Sequence, residues 1–318
     1  MTKIPRFPLS PEELDHEIYK FCGHFSILGD QGEIGLGFAH LPTDHAFLID
    51  KKFDSAFWPW RRLLLECANY YACLAILWEA CAAHAEEQKY FRALMVLSGR
   101  ISWDIQSILL LLEKGYGPQA VAIGRTAIES LNCLALLSEN PDLAEEFASV
   151  EATEDANKFW HKHLSKGKVR RFLKSWLDEK VPGLEHYDQD WFDGRLKLFG
   201  ENIHPSYRTS SVPFQLLKDS DFDQLSYWSP GLTACARYDM HLAEPVFFSC
   251  FETSFILGTG RLSDGSPRRI EKVPENVLAA ESGAFRYARN GHFLLTNMML
   301  RVREYGDEEP LSNWRQTD

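Results

Sequence analysis

Two arginine–carboxylate pairs are the first groups in this chain that could do chemistry. Arg100 and Asp104 lie four residues apart, and so do Arg125 and Glu129. That spacing puts two side chains on one helical face. The surroundings are apolar: Ile105, Ile108, Leu109 and Leu112 follow the first pair, and Ala122, Ile128, Leu131 and Leu134 flank the second. Charges inside such helices need partners, because an unpaired buried ion is costly. Two readings follow. In one, the four groups form an internal ion network that fixes helix register. In the other they floor a pocket, where Arg125 grips an anion through both prongs of its guanidinium and Glu129 or Asp104 orients it or acts as a base.

A second cluster is Asn202-Ile203-His204-Pro205-Ser206-Tyr207-Arg208. His204 precedes a proline, which biases it towards extended backbone. A loop histidine held this way works as an acid, base or ligand near neutral pH. The plainer reading is a helix-ending turn in which His204 and Ser206 cap backbone groups. A third segment, residues 161–176, is basic and interleaved with aromatics. Such a pattern suits a nucleic-acid backbone and stacked bases, and equally a solvated helix face.

Other patterns carry little. Asp188, Asp190 and Asp193 open like a calcium loop but lack its glycine and its closing glutamate. Cys81 and His84 lack a second pair of zinc ligands. Gly32, Gly35 and Gly37 are not followed by the Lys-Ser/Thr of a phosphate loop. No metal or other cofactor is expected.

The elements that must position these groups are helices. Ser10-Pro11-Glu12-Glu13 is a capping box, which predicts a helix to about residue 21. Residues 23–54 read as loop. Apolar residues at helical spacing then predict long helices over about 59–86, 88–114 and 118–138. The short Gly-Tyr-Gly-Pro link at 115–118 makes the last two an antiparallel hairpin. Further helices are expected from Asn140-Pro141-Asp142 with interruptions to about 177, over 188–200, over 231–257 with a kink or break at Pro245, and over 275–304. The expected fold is all-α: a helical bundle over 55–304 built on the hairpin 88–138, with a loop-rich N-terminal extension, 1–54, and a polar tail, 305–318.

Composition narrows the function. The 318 residues carry a formal net charge of -11, which opposes any general coating of nucleic acid. Seven cysteines at irregular spacing, with no Cys-x-x-Cys, suit a reducing compartment. The N-terminal residues lack the apolar run of a signal peptide. The most apolar stretch, 63–78, is interrupted by Glu66 and Asn69 and reads as too short for a bilayer, which needs about 20 residues. A cytoplasmic protein with no membrane association is expected. Apolar helices such as 59–86 offer more surface than one chain can bury, which predicts a homodimer.

The run Arg125-Thr126-Ala127-Ile128-Glu129-Ser130, with the long helix before it and His204-Pro205-Ser206 after it, resembles a bacterial helical family of unknown function marked by an Arg-x-x-x-Glu helix. The resemblance covers roughly residues 85–260 and extends distantly to the HEPN domains. Many HEPN proteins are metal-independent ribonucleases or toxins of bacterial defence; others only bind nucleotides or partners. Their signature, an arginine and a histidine separated by four to six residues on one helix, is absent at Arg125 and occurs at Arg286 and His292. The resemblance implies a ribonuclease of phage defence in which Arg125, Glu129 and His204 act on RNA while Arg100, Asp104, Ser206 and Arg208 bind it. The rival expectation is a non-catalytic module for a nucleotide, another anionic ligand or a protein partner.

Overall fold

The computed structural model describes residues 9–24, 51–84, 87–113, 117–150, 152–165, 167–180, 199, 230–258 and 283–308. Among these the chain is all-α, with nine helices and no strand. They are α1 (Pro11–His24), α2 (Lys51–His84), α3 (Gln88–Glu113), α4 (Gly117–Glu139), α5 (Pro141–Ala148), α6 (Thr153–Phe159), α7 (Lys168–Lys180), α8 (Pro230–Gly258) and α9 (Gly283–Glu308). A π-helical turn, Trp160–Leu164, follows α6.

α1 begins where its sequence marks it. The Ser10 amide donates to Glu13 Oε2 at 2.7 Å, and the Glu13 amide donates to Ser10 Oγ at 3.2 Å. This closes the reciprocal capping box. α2 starts at Lys51, earlier than the expected 59, and so takes Pro59 into its interior. Pro245 likewise falls inside α8, which runs unbroken from Pro230 to Gly258, so the expected break is corrected to a continuous helix. Burial of Leu242, Val246, Phe247 and Phe251 around the proline outweighs the lost backbone hydrogen bond.

α2, α3 and α4 form the frame. Short links join them, so neighbours run antiparallel, and the tightest pair is α2 with α3. α8 packs across α4 and α2, and α9 lies on α2 and α8. The core between them is rich in rings: Tyr70, Tyr71, Tyr90, Phe91, Phe247, Phe251 and Tyr287 are fully buried. Buried hydroxyls find backbone acceptors, with Tyr71 donating to the Cys250 carbonyl at 2.9 Å and Tyr90 to that of Ser138 at 3.1 Å. Two glycines let helices meet closely. A Cβ at Gly124 would fall 2.2 Å from Leu242 of α8, and one at Gly291 of α9 would fall 2.5 Å from the Tyr70 ring of α2. α1 joins the same core through Leu14, Ile18 and Cys22.

One expectation about apolarity is revised. Trp60–Ala83, Gln88–Leu112 and Gln119–Glu139 are each long and apolar enough to cross a membrane by length and composition. Within the bundle, 67%, 44% and 61% of their most apolar windows are buried, so α3 is the least covered of the three.

Candidate functional site

Arg125 and Glu129 lie on the outward side of α4. The residues that α4 turns inward, including Ile128, Leu131 and Leu134, are fully buried, whereas both ionic side chains remain 37% exposed. Arg125 Nε donates to Glu129 Oε1 at 3.0 Å. That contact uses one of the five guanidinium N–H groups and leaves the terminal fork without a hydrogen bond among the described residues. Asn132 continues the strip nearly two turns from Arg125, and its Oδ1 is buried with no hydrogen-bond partner among the described residues. The strip therefore offers a fork-shaped cation, a carboxylate that steadies it, and an amide.

Asp104 does not join them. It pairs with Arg100 on its own helix, Nε to Oδ2 at 3.6 Å, and Arg100 is exposed. Among the described residues no ion pair links the two helices. The expected meeting of Asp104 with Arg125 and Glu129 in a shared apolar interior is therefore corrected to two separate pairs, each within one helix. The cause is rotational: α4 spends its inward arc on aliphatic side chains, and Arg125 falls outside that arc. Asp104 is still the more confined acid. Burial raises its carboxyl pKa, and Arg100 pulls it only partly back. His204, Ser206 and Arg208 lie outside the described residues, as do Asp188, Asp190, Asp193 and the glycines at 32, 35 and 37.

The basic segment is less available than its composition implies. Arg170 points inward to Glu252 of α8, and both side chains are nearly covered. Lys158 pairs with Asp155 at 2.9 Å, and Lys162 with Glu146 at 3.1 Å. Lys168 Nζ donates to the carbonyls of His161 and Lys162, closing the π-helical turn. Much of this charge is engaged locally.

Arg286 and His292 share α9. Six residues turn an α-helix by about 600°, so the two point about 120° apart. The His292 ring sits where a Cβ on Gly258 would fall, 2.5 Å away, and lies 4.0 Å from the Phe293 ring centroid. Burial lowers its pKa, opposed by a backbone hydrogen bond at Arg289.

The most enclosed ionic group is one that sequence reasoning passed over. Glu66, treated only as an interruption of an apolar run, is fully buried. Arg62, one turn earlier, pairs with its Oε1 and donates through Nε to Asp15 of α1 at 3.1 Å. Tyr287 of α9 donates its hydroxyl to Glu66 Oε2 at 2.6 Å. Burial and the Glu66 charge both raise the Tyr287 pKa, so the phenol keeps its proton. The four-residue spacing of Arg62 and Glu66 was visible in the sequence; Tyr287 was not. With both carboxylate oxygens engaged, the cluster has the satisfied character of a structural tie.

Among the described residues no group of three or more His, Cys, Asp or Glu is placed to hold a metal ion. Cys22, Cys67, Cys73, Cys81, Cys133 and Cys250 are free and buried. Burial pushes the Cys22, Cys81 and Cys133 thiols up to about 12, which makes them poor nucleophiles.

No curated protein and no solved structure matches the chain. Residues 91–222, which begin on α3 and take in all of α4 to α7, match the model of a family of unknown function, DUF5677.

Proposed function

We propose that this is a HEPN-like helical module that binds the phosphate of RNA or of a nucleotide on the outward strip of α4. The observation that carries the reading is the Arg125 side chain. Glu129 holds it through Nε alone, and its two terminal nitrogens make no hydrogen bond among the described residues while the side chain is 37% exposed. A guanidinium so fixed loses little further entropy when it grips two phosphate oxygens.

Anisotropy of a labelled single-stranded RNA, measured at low salt, tests this. Arg125→Ala is expected to weaken binding by at least about tenfold, since a bidentate charged contact is worth more than 1.4 kcal/mol. Arg125→Lys should restore little, because an ammonium cannot form the fork. Equal binding by wild type and Arg125→Ala would end the proposal.

A second reading is cleavage. Asp104 favours it, as a confined carboxyl with a raised pKa and one oxygen lacking a hydrogen bond. The protein would then be a metal-independent ribonuclease, a toxin-type effector of phage defence, with His204 as acid or base and Ser206 and Arg208 at the phosphate. Incubation with total RNA in EDTA should show cleavage by wild type that Asp104→Asn and His204→Ala abolish. Binding without cleavage would leave the first reading alone.

A further inference from the structure

α3 carries an unspent stripe. Val96, Trp103 and Leu110 are 56%, 74% and 47% exposed, the large apolar side chains that this helix leaves uncovered. They are spaced by seven. Seven residues turn an α-helix by about 700°, twenty short of two full turns, so the three stand in one nearly straight line. Seven is the repeat of one seam position in paired helices. The opposite side of α3 is already used: Ile101, Ile105 and Ile108 are fully buried. The stripe is therefore separate from the core, and it lies on a different helix from Arg125.

We propose that this face of α3 pairs antiparallel with the same face of a second copy of the chain. Symmetry supports the choice. The line is balanced about Trp103, with an aliphatic side chain seven residues to either side. A two-fold axis at Trp103 sets Val96 of one copy against Leu110 of the other and brings the two indoles together, an isologous contact. Charge then sets the direction. Lys89, Arg92 and Arg100 are exposed on the N-terminal side of Trp103, while Ser107 and Leu110 lie on the C-terminal side. An antiparallel pair lays each set of cations over the partner's C-terminal half, which holds Asp104 and Glu113 and no Lys or Arg. A parallel pair would stack cation on cation.

Size sets the strength. α3 has 26 residues and is about 39 Å long, and one helical seam covers less than the roughly 800 Å² per partner of a standard interface. The association is weak and depends on concentration. Each copy carries a net charge of -11, so added salt screens the mutual repulsion and tightens the dimer. An anionic occupant of the same cationic face, whether RNA, an acidic peptide or a lipid surface, would show the opposite dependence.

Sedimentation equilibrium of the full chain, from low to high micromolar and at two salt concentrations, decides the matter. A monomer–dimer equilibrium that salt strengthens is expected. Trp103→Glu and Leu110→Glu should each weaken it by at least about tenfold, while Ser175→Glu, on the exposed face of α7, should not. Both stripe positions are exposed, so circular dichroism and the melting temperature should stay at wild-type values. RNA binding through Arg125 should survive Trp103→Glu, which separates this inference from the function proposed above. A wild type that is monomeric throughout, a dimer indifferent to both stripe variants, or an association dissolved by salt would each overturn it.

Discussion

Arg62–Glu66 and Arg125–Glu129 are written identically in the sequence, an arginine and a glutamate one turn apart, and the fold treats them in opposite ways. The first pair has a fully buried carboxylate, reinforced by Tyr287 and Asp15 from two other helices. The second stands half in solvent and touches nothing else ionic among the described residues. Burial works against the Arg62 charge, yet Glu66 and Asp15 outweigh it and raise its pKa. The lesson is that spacing reports which side chains share a face, and only the helix's rotation reports what that face meets. The pair that is stabilising on paper, in an apolar run, is the tie. The pair left half-open is the one with binding capacity to spare.

Stability measurements break or sharpen this contrast. The largest effect should come from Arg62→Ala, which strands a buried carboxylate; a loss of about 3–5 kcal/mol is expected in urea unfolding. Tyr287→Phe removes one charge-assisted hydrogen bond and should cost about 1.5–3 kcal/mol by the same measurement. Arg125→Ala should change stability by less than about 1 kcal/mol, as exposed pairs do. Comparable losses in Arg62→Ala and Arg125→Ala would erase the distinction between the two regions.

Smaller effects lie in the pH profile. His292 has a folded pKa below the ordinary 6.5 because burial disfavours its charged form. Its contribution is therefore intact above pH 6.5 and is lost as the pH falls towards the depressed folded value. Melting temperatures recorded down through that window should fall for wild type and fall less for His292→Gln. Asp104 behaves in the reverse sense, since its raised pKa means that ionisation is disfavoured by the fold. Asp104→Asn should leave stability at neutral pH unchanged or slightly increased, and a marked loss would show that the Arg100 contact matters more than desolvation.

Much of the architecture was legible beforehand. The capping box at Ser10, the apolar periodicity from residue 60 onwards and the Gly/Pro punctuation near 117 each encode structure locally, and helices stand at those places. What failed was anything that needed tertiary context. Pro245 reads as a kink or break because a lost N–H is a local cost, yet its helix runs on through it, and α2 extends back past Pro59. The loop position sets the level of Asp104 beside α4, but the rotation of each helix depends on what else packs on it, and α4 also packs on α8 and α7. Arg170 looked like part of a basic surface until Glu252, 82 residues away, turned it inward. Tyr287 could not be foreseen as the partner of Glu66, because nothing in a single sequence couples residues so distant.

That last separation has a consequence for biosynthesis. The phenol that completes the Glu66 site is 221 residues downstream of it. At about 5–20 residues per second, a ribosome needs roughly 10–45 s to supply it after α2 has been made. Throughout that interval Arg62 is the partner of the Glu66 carboxylate on its own helix, and water must stand where the phenol will later donate. Closure of the bundle around this charge is thus a late event in the life of the chain, and α9 is the piece whose arrival turns a tolerated intermediate into the finished protein.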